Sequence, residues 1–455
     1  MSGERGLIAR HAGTVLVGQL AVMAFGVTDT IIAGRYSENA LAALSVGAAV
    51  FISVYVSLMG VLQALLPIWA ELHGGGRGAE VGRSVRQSLY LAGIAIVLGM
   101  AVLLSPGAVL RWTQVPPEMR GEVEAYLIVL AFGLAPALLF RLFSTLNQSL
   151  GKPQLVTWLQ LGALLVKLPL SVWFTFGGAG LPAMGLVGCG WATLCVNWAM
   201  LGCAVWLLRS SPLYRGYGLW ERLEAPDWHT IRHFARMGVP AGLAVLVEVT
   251  SFTLMALFIA RLGTAAAAAH QIAANLMAVA YMVPLSLSIA TSARVSFWLG
   301  AGDAAKARHV CRLGFELTVL CALLFAGTMV ALRSQLANVY SDNPAVVALA
   351  AALLLPVAAF HLSDAVQTLC VFVLRCYRVT LAPLLIYCTM LWGLGLGGSY
   401  LLAYRGIGPW PAMQSPLAFW VMSAGALALT ALMFIALLRR TMVRQPAPNA
   451  ARKAA

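Results

Sequence analysis

The sequence predicts an all-α, polytopic membrane protein with twelve transmembrane helices in two pseudo-symmetric six-helix bundles. Three observations predict it. Of 455 residues, 61% are hydrophobic and only 10% are charged, against about 25% charged in soluble domains. Twelve apolar runs reach the length of about 20 residues that a helix needs to cross a bilayer. Lys and Arg segregate to alternate ends of those runs, as the positive-inside rule requires.

The first run, 12–34, follows Arg5 and Arg10 and carries Asp29 near its end. A signal peptide is the competing reading, but a run that holds Asp29 and lacks a small-residue cleavage site is better kept as a helix. The second run, 42–70, includes Pro67, and the third spans 86–110. The fourth, 122–149, holds Pro136 and Arg141; the fifth, 154–176, holds Lys167 and Pro169; the sixth, 184–208, holds Cys189, Cys195 and Cys203. A long polar connection around Arg209–Arg236, with Pro212, Gly216, Gly218 and Pro226, then halves the chain. It predicts an N-terminal lobe over 1–222, including a cytoplasmic linker from about 209, and a C-terminal lobe with a short basic tail over 223–455. The seventh run, 234–260, carries Pro240 and Glu248; the eighth, 268–299, His270 and Pro284; the ninth, 310–332, Cys321. The tenth, 345–374, carries Pro356, Asp364 and Cys370, and 380–404 and 414–438 complete the set. Prolines within spans break a backbone hydrogen bond and give kinks or hinges. Runs of this length exclude an outer-membrane barrel, whose strands alternate over about ten residues.

The net charge of +14 is topology information, and a nucleic-acid surface is the poor reading. With the N-terminus in the cytoplasm, 22 basic residues fall inside, from Arg5 and Arg10 to Arg452 and Lys453 in the tail. Only Arg35, Arg111, Arg120, Arg261, Arg333 and Arg405 fall outside. That bias places both termini in the cytoplasm. Eight scattered cysteines without paired spacing read as small packing residues, not as a disulfide framework or a zinc site.

The halves resemble one another when shifted by 226 residues: Arg35 falls on Arg261, Gly74 on Gly300, Gly76 on Gly302 and Arg86 on Arg312. Six helices per half keep the repeats in the same orientation, related by an axis along the membrane normal.

Asp29, Glu248 and Asp364 lie deep in apolar runs. A charge at the bilayer centre costs roughly 2.5–3.5 kcal/mol on insertion scales, so such groups usually mark an ion, proton or substrate path. Asp29 admits two readings: an exchangeable carboxyl that takes a proton outside and releases it inside, or the partner of a buried base. Lys167, mid-span, either snorkels to an interface or pairs with Asp29; Arg141 is the other base in that half. Glu248 and Asp364 have few cationic partners at their depth and, facing one cavity, would bind Na⁺ or an organic cation, or share a proton. Aromatic and Met residues, among them Phe360 and Met277, are core, lipid-facing or cavity-lining. No nucleotide-binding loop, zinc motif, nucleophile elbow or Asp-rich motif is present. The chain is therefore read as a secondary active transporter, with no cofactor beyond the coupling ion.

Further residues carry a family resemblance. Val27-Thr28-Asp29-Thr30 with Ala33-Gly34-Arg35, Leu66-Pro67 through Gly74-Gly75-Gly76-Arg77, and Gly185 through Thr193 resemble the multidrug and toxic compound extrusion (MATE) family, in its NorM branch. So do Pro240 through Glu248-Val249-Thr250, Ala269-His270-Gln271-Ile272-Ala273-Ala274-Asn275, Pro284-Leu285-Ser286, Leu299-Gly300-Ala301-Gly302, and Ser363-Asp364 with Gln367. The resemblance runs in order across nearly the whole chain. It implies antiport of Na⁺ or H⁺ against cationic or amphipathic drugs, with Glu248 and Asp364 as C-lobe cation-binding carboxylates (the Na⁺ ligands if sodium couples). It places Asp29 as the N-lobe acid with Thr193 near it. Lys167 and Ser171 stand where the family commonly shows asparagines, which makes them, with Thr193, modulating residues. Phe360 replaces a tyrosine of some relatives, and Cys376 and Val379 depart from the usual Gly and Asp. The cavity candidates are Phe360, Gln271, Asn275, Met277 and Gln367. The expected setting is a monomer in a bacterial inner membrane, with the lipid bilayer and small molecules as partners. The alternative is a lipid-linked oligosaccharide flippase of related fold, which needs a strongly cationic cavity.

Overall fold

The computed structural model describes residues 2–107, 117–178, 180–406, 408–409 and 411–444. Arg111, Arg452, Lys453 and the end of the third predicted span lie outside them. Twelve helices are long and apolar enough to cross a membrane, at the places the apolar runs predict, and no strand occurs among the described residues.

In chain order these are α1 (Ser2–Tyr36), α2 (Glu38–Gln63) continuing as α3 (Leu66–Gly74), α4 (Gly78–Leu104), α5 (Pro117–Ser149), α6 (Gln154–Phe176) and α7 (Leu186–Ser210). The second set is α8 (Trp228–Ala260), α9 (Thr264–Gly300), α10 (Ala304–Ala331), the short α11 (Arg333–Asn338) and α12 (Pro344–Cys376). It ends with α13 (Leu381–Tyr387), a π-helical stretch Cys388–Gly397, α14 (Gly398–Tyr404) and α15 (Pro416–Arg444). Pro136, Pro169, Pro240, Pro284 and Pro356 sit inside helices, whereas Pro67 opens α3 after a break at Ala64–Leu65.

The chain forms two compact units. One is Val17–Gly242; the other joins the N-terminal segment up to Leu16 to the chain from Leu243 onward. The divisions thus fall inside α1 and inside α8 at positions 226 residues apart, the offset of the sequence repeat.

The repeat extends to individual hydrogen bonds. Gly75, Gly76 and Arg77 donate to the carbonyls of Glu71, His73 and Leu72; Ala301, Gly302 and Asp303 donate to those of Phe297, Leu299 and Trp298. Gly76 and Gly302 adopt φ of 70° and 79°, the left-handed conformation that closes a helix and that glycine enters without a Cβ penalty. The fourth helix of the first unit is its centre: 78% of the apolar window of Met119–Ser149 is buried, against 39% or less in the other five spans of that half.

Candidate functional site

In the Val17–Gly242 unit, α1, α6 and α7 meet around Asp29. Gly188 lets the start of α7 approach the backbone of Phe174 and Thr175 so closely that a Cβ there would lie 2.5 Å from the Phe174 carbonyl carbon. That approach brings Thr193 of α7 to Lys167 of α6. Lys167 is wholly buried and its Nζ donates to Asp29 Oδ1 and Oδ2 at 2.8 and 2.9 Å and to Thr193 Oγ1 at 2.6 Å. Its three protons thus have three acceptors. Thr193 passes its own proton to the Cys189 carbonyl at 3.0 Å, Phe25 lies under the ammonium at 5.7 Å, and Ser171 is buried one turn beyond Lys167. Of the two readings of Asp29, the structure has the paired one, and Lys167 does not snorkel. Thr28 and Thr30 bond back to Ala24 and Gly26, leaving the carboxylate to the neighbouring helices. Arg141 is not Asp29's partner.

In the unit that contains Leu243 onward, Asp364 of α12 is buried and accepts from Gln367 Nε2 at 2.8 Å. Gln367 also donates to Thr368 Oγ1 at 3.2 Å and accepts from the Tyr387 hydroxyl. Glu248 of α8 lies within electrostatic range of Asp364 and of Arg375. It lines a cavity of about 30 Å³ with Ser251, Phe252, Phe360 and Leu391, enough for a water-sized guest. Phe252 and Phe360 of the lining pack edge to face on each other and on the wholly buried Trp420 behind them, with centroids 5.6–6.3 Å apart. The π-helical stretch contributes Leu391, Gly395 and Leu396 to the lining. Single π turns recur at functional sites because they displace side chains from the α register.

Of the other residues singled out from the sequence, Phe360 lines the cavity and Gln367 holds Asp364. Gln271 and Asn275 bond each other at 3.1 Å on an exposed stretch of α9, and Met277 is buried in that unit's core. Sequence reasoning missed Tyr387 and Thr368, and hydropathy does not show that Arg375, one of the basic residues on the predicted cytoplasmic side, is only 5% exposed. A lone tyrosine in an apolar run was the one available signal for Tyr387.

The MatE family model matches residues 15–173 and 240–401, one stretch in each half of the chain. A probable multidrug resistance protein NorM of Aromatoleum aromaticum is 38% identical over 441 residues, 96% of this chain and 95% of that protein. A protein of the same name from Neisseria meningitidis serogroup B is 32% identical over 417 residues, 90% of this chain and 91% of that one. Among solved structures, a eukaryotic MATE transporter superposes with a TM-score of 0.84, covering 97% of this chain and 98% of its own at 16% identity, which speaks for the fold alone. With matching stretches in both halves and relatives above 30% identity along nearly their whole length, the chain belongs to the MatE family, on its NorM-like side.

Proposed function

We propose that the protein is a secondary transporter that exports cationic or amphipathic small molecules across a bacterial inner membrane in exchange for Na⁺ or H⁺. The observation that carries this reading is the pair of membrane-embedded carboxyls, Glu248 and Asp364, set in one unit within each other's field, with Glu248 on a cavity wall. Two like charges so placed favour any arrangement that neutralises one of them. A coupling ion does so from one face; an organic cation does so from the other. Loading one disfavours the other, which is exchange by competition. Carboxylate oxygens suit Na⁺ as a hard cation as well as they suit a proton. Asp29 enters the cycle with Lys167 as an internal counter-ion, so a proton or cation arriving there displaces the ammonium rather than filling a vacancy. The flippase reading loses support on the same ground: Lys167, one of two bases in its half's spans, is already neutralised.

The test is efflux of a fluorescent organic cation, ethidium, from proteoliposomes under separately imposed Na⁺ and proton gradients. Efflux above the protein-free rate under at least one gradient is expected. Equal rates with and without protein under both gradients would remove the exporter reading.

A further inference from the structure

Arg209 lies in the last turn of α7, at the end of an open stripe. Trp191, Cys195, Trp198, Val205 and Trp206 are exposed along that apolar span at spacings of one or two turns, the pattern of one helix face turned to lipid. Arg209 stands one turn past Trp206 on the same face and is itself exposed. The linker between the halves then returns to cover it. The Trp220 ring lies on the Arg209 guanidinium at 4.5 Å, and its Nε1 donates to the Leu208 carbonyl at 3.0 Å, filling an acceptor that the helix end leaves open. Trp220, Arg222 and Leu223 are exposed. The linker's acids are engaged elsewhere: Glu221 and Glu224 bind Arg86 of α4 at 3.2 and 2.6 Å, and Asp227 accepts from the His229 amide and the Thr230 hydroxyl at the start of α8. Arg209 and Arg222 form no ion pair among the described residues. This rim of the span therefore presents cations and rings without a compensating acid.

We propose that Arg209, stacked under Trp220, is a binding site for the phosphate of an anionic phospholipid such as phosphatidylglycerol, in the leaflet that the positive-inside bias makes cytoplasmic. The guanidinium fork matches phosphate oxygens, indole rings belong at headgroup depth, and Trp206, one turn into the span, meets the acyl chains. A soluble phosphate shares the oxygen chemistry, but the apolar stripe that runs into the site calls for a ligand with chains. The inference goes beyond the transporter reading and is independent of it: it needs the spans and not the exchange.

Bimane on Ser210→Cys, in a cysteine-free full-length chain, reports lipid arriving beside Arg209. The protein is placed in phosphatidylcholine nanodiscs that hold a small fraction of either phosphatidylglycerol or phosphatidylcholine with a nitroxide quencher near the top of one acyl chain. Labelled phosphatidylglycerol is expected to quench more strongly, with a preference of about fivefold or more, the effect of one base beside an anionic headgroup. Arg209→Gln is expected to lose about fivefold of that preference. Arg209→Lys, which keeps the charge without the flat stack, falls between. Trp220→Leu keeps every charge and is expected to lose about twofold. Arg440→Gln removes the same charge from an exposed position near the end of α15 and is expected to leave the preference unchanged. Equal quenching by the two lipids in the parent would overturn the proposal. Equal losses at positions 209 and 440 would overturn it too, reducing the site to general surface charge. Loss of the preference on adding inorganic phosphate, against chloride at the same ionic strength, would overturn it in favour of a soluble anion. None of these results bears on ethidium efflux, which tests the transporter reading separately.

Discussion

At the level of single residues, the Asp29–Lys167 pair shows what depth in a membrane imposes. Neither charge alone is tolerable where both sit, and each is the other's compensation. Truncating one side is therefore far worse than removing both. Lys167→Met is expected to lower unfolding stability by about 3–5 kcal/mol, and Asp29→Asn combined with Lys167→Met to recover most of it. Thermal denaturation of the three proteins in one detergent checks the order. The pairing was legible as one of two readings, because Asp29 was the acid available to Lys167 in its half. Around Asp364 only the local partner was legible: Gln367 stands one turn away on the same helix, whereas Tyr387, which donates to Gln367, arrives from α13 through tertiary packing. Gln271 donates to Asn275 at i,i+4 spacing, a local contact that the sequence spacing allows.

At the level of elements, helix ends and the connection between halves carry specific interactions. Arg378 follows α12 with φ of 62°, in the position that the left-handed Gly151 occupies after α5. The matching bonds are Gly151 to Gln148 and Lys152 to Asn147 in one unit, and Arg378 to Arg375 and Val379 to Leu374 in the other. A side chain in the left-handed region costs roughly 1–2 kcal/mol, so Arg378→Gly is expected to raise the melting temperature; a fall would mean that its side-chain contacts outweigh the backbone strain. The inter-half linker, predicted from composition as a polar connection, proves to be strapped onto α4. Arg86 binds Glu224 at 2.6 Å, Tyr90 donates to the Glu224 carbonyl at 2.8 Å, and Gln87 joins Ala225 and Asp227 at 3.0 and 2.9 Å. The hydrogen bonds from Arg86 hold the Glu224 carboxyl below the ordinary glutamate range. A depressed native value means the contact contributes above the unfolded value and is lost as pH falls through the native one. Hydrogen-exchange protection across 219–227, measured against the unstructured chain, is accordingly expected to fall as the pH drops below the ordinary glutamate range, and to be low at every pH in Arg86→Met. The strap was illegible in the sequence because charge runs look alike whether solvated or engaged.

At the level of the whole molecule, duplication explains most of what the sequence made readable. Twelve spans followed from hydropathy, and four residue pairs at one offset exposed the repeat that the matched hydrogen bonds of Gly76 and Gly302 now detail. What hydropathy could not supply is which faces turn inward, and hence which polar residues share a cavity. For the orientation, the positive-inside bias predicts the Gly34–Ser37 connection outside and the Lys152 connection inside. Single cysteines at Ser37 and at Lys152 in a cysteine-free background are expected to react with a membrane-impermeant maleimide in intact cells only at position 37; reaction at 152 alone would invert the topology.

The most direct test of exchange at the Glu248 and Asp364 carboxyls is ethidium efflux from proteoliposomes holding Glu248→Gln plus Asp364→Asn. It is run beside the parent and the Asp29→Asn plus Lys167→Met protein under the gradient that drives the parent. Flux at the protein-free level for the first variant, with the second still transporting, is the expected result. Parent-level flux from a protein lacking both carboxylates would contradict the account.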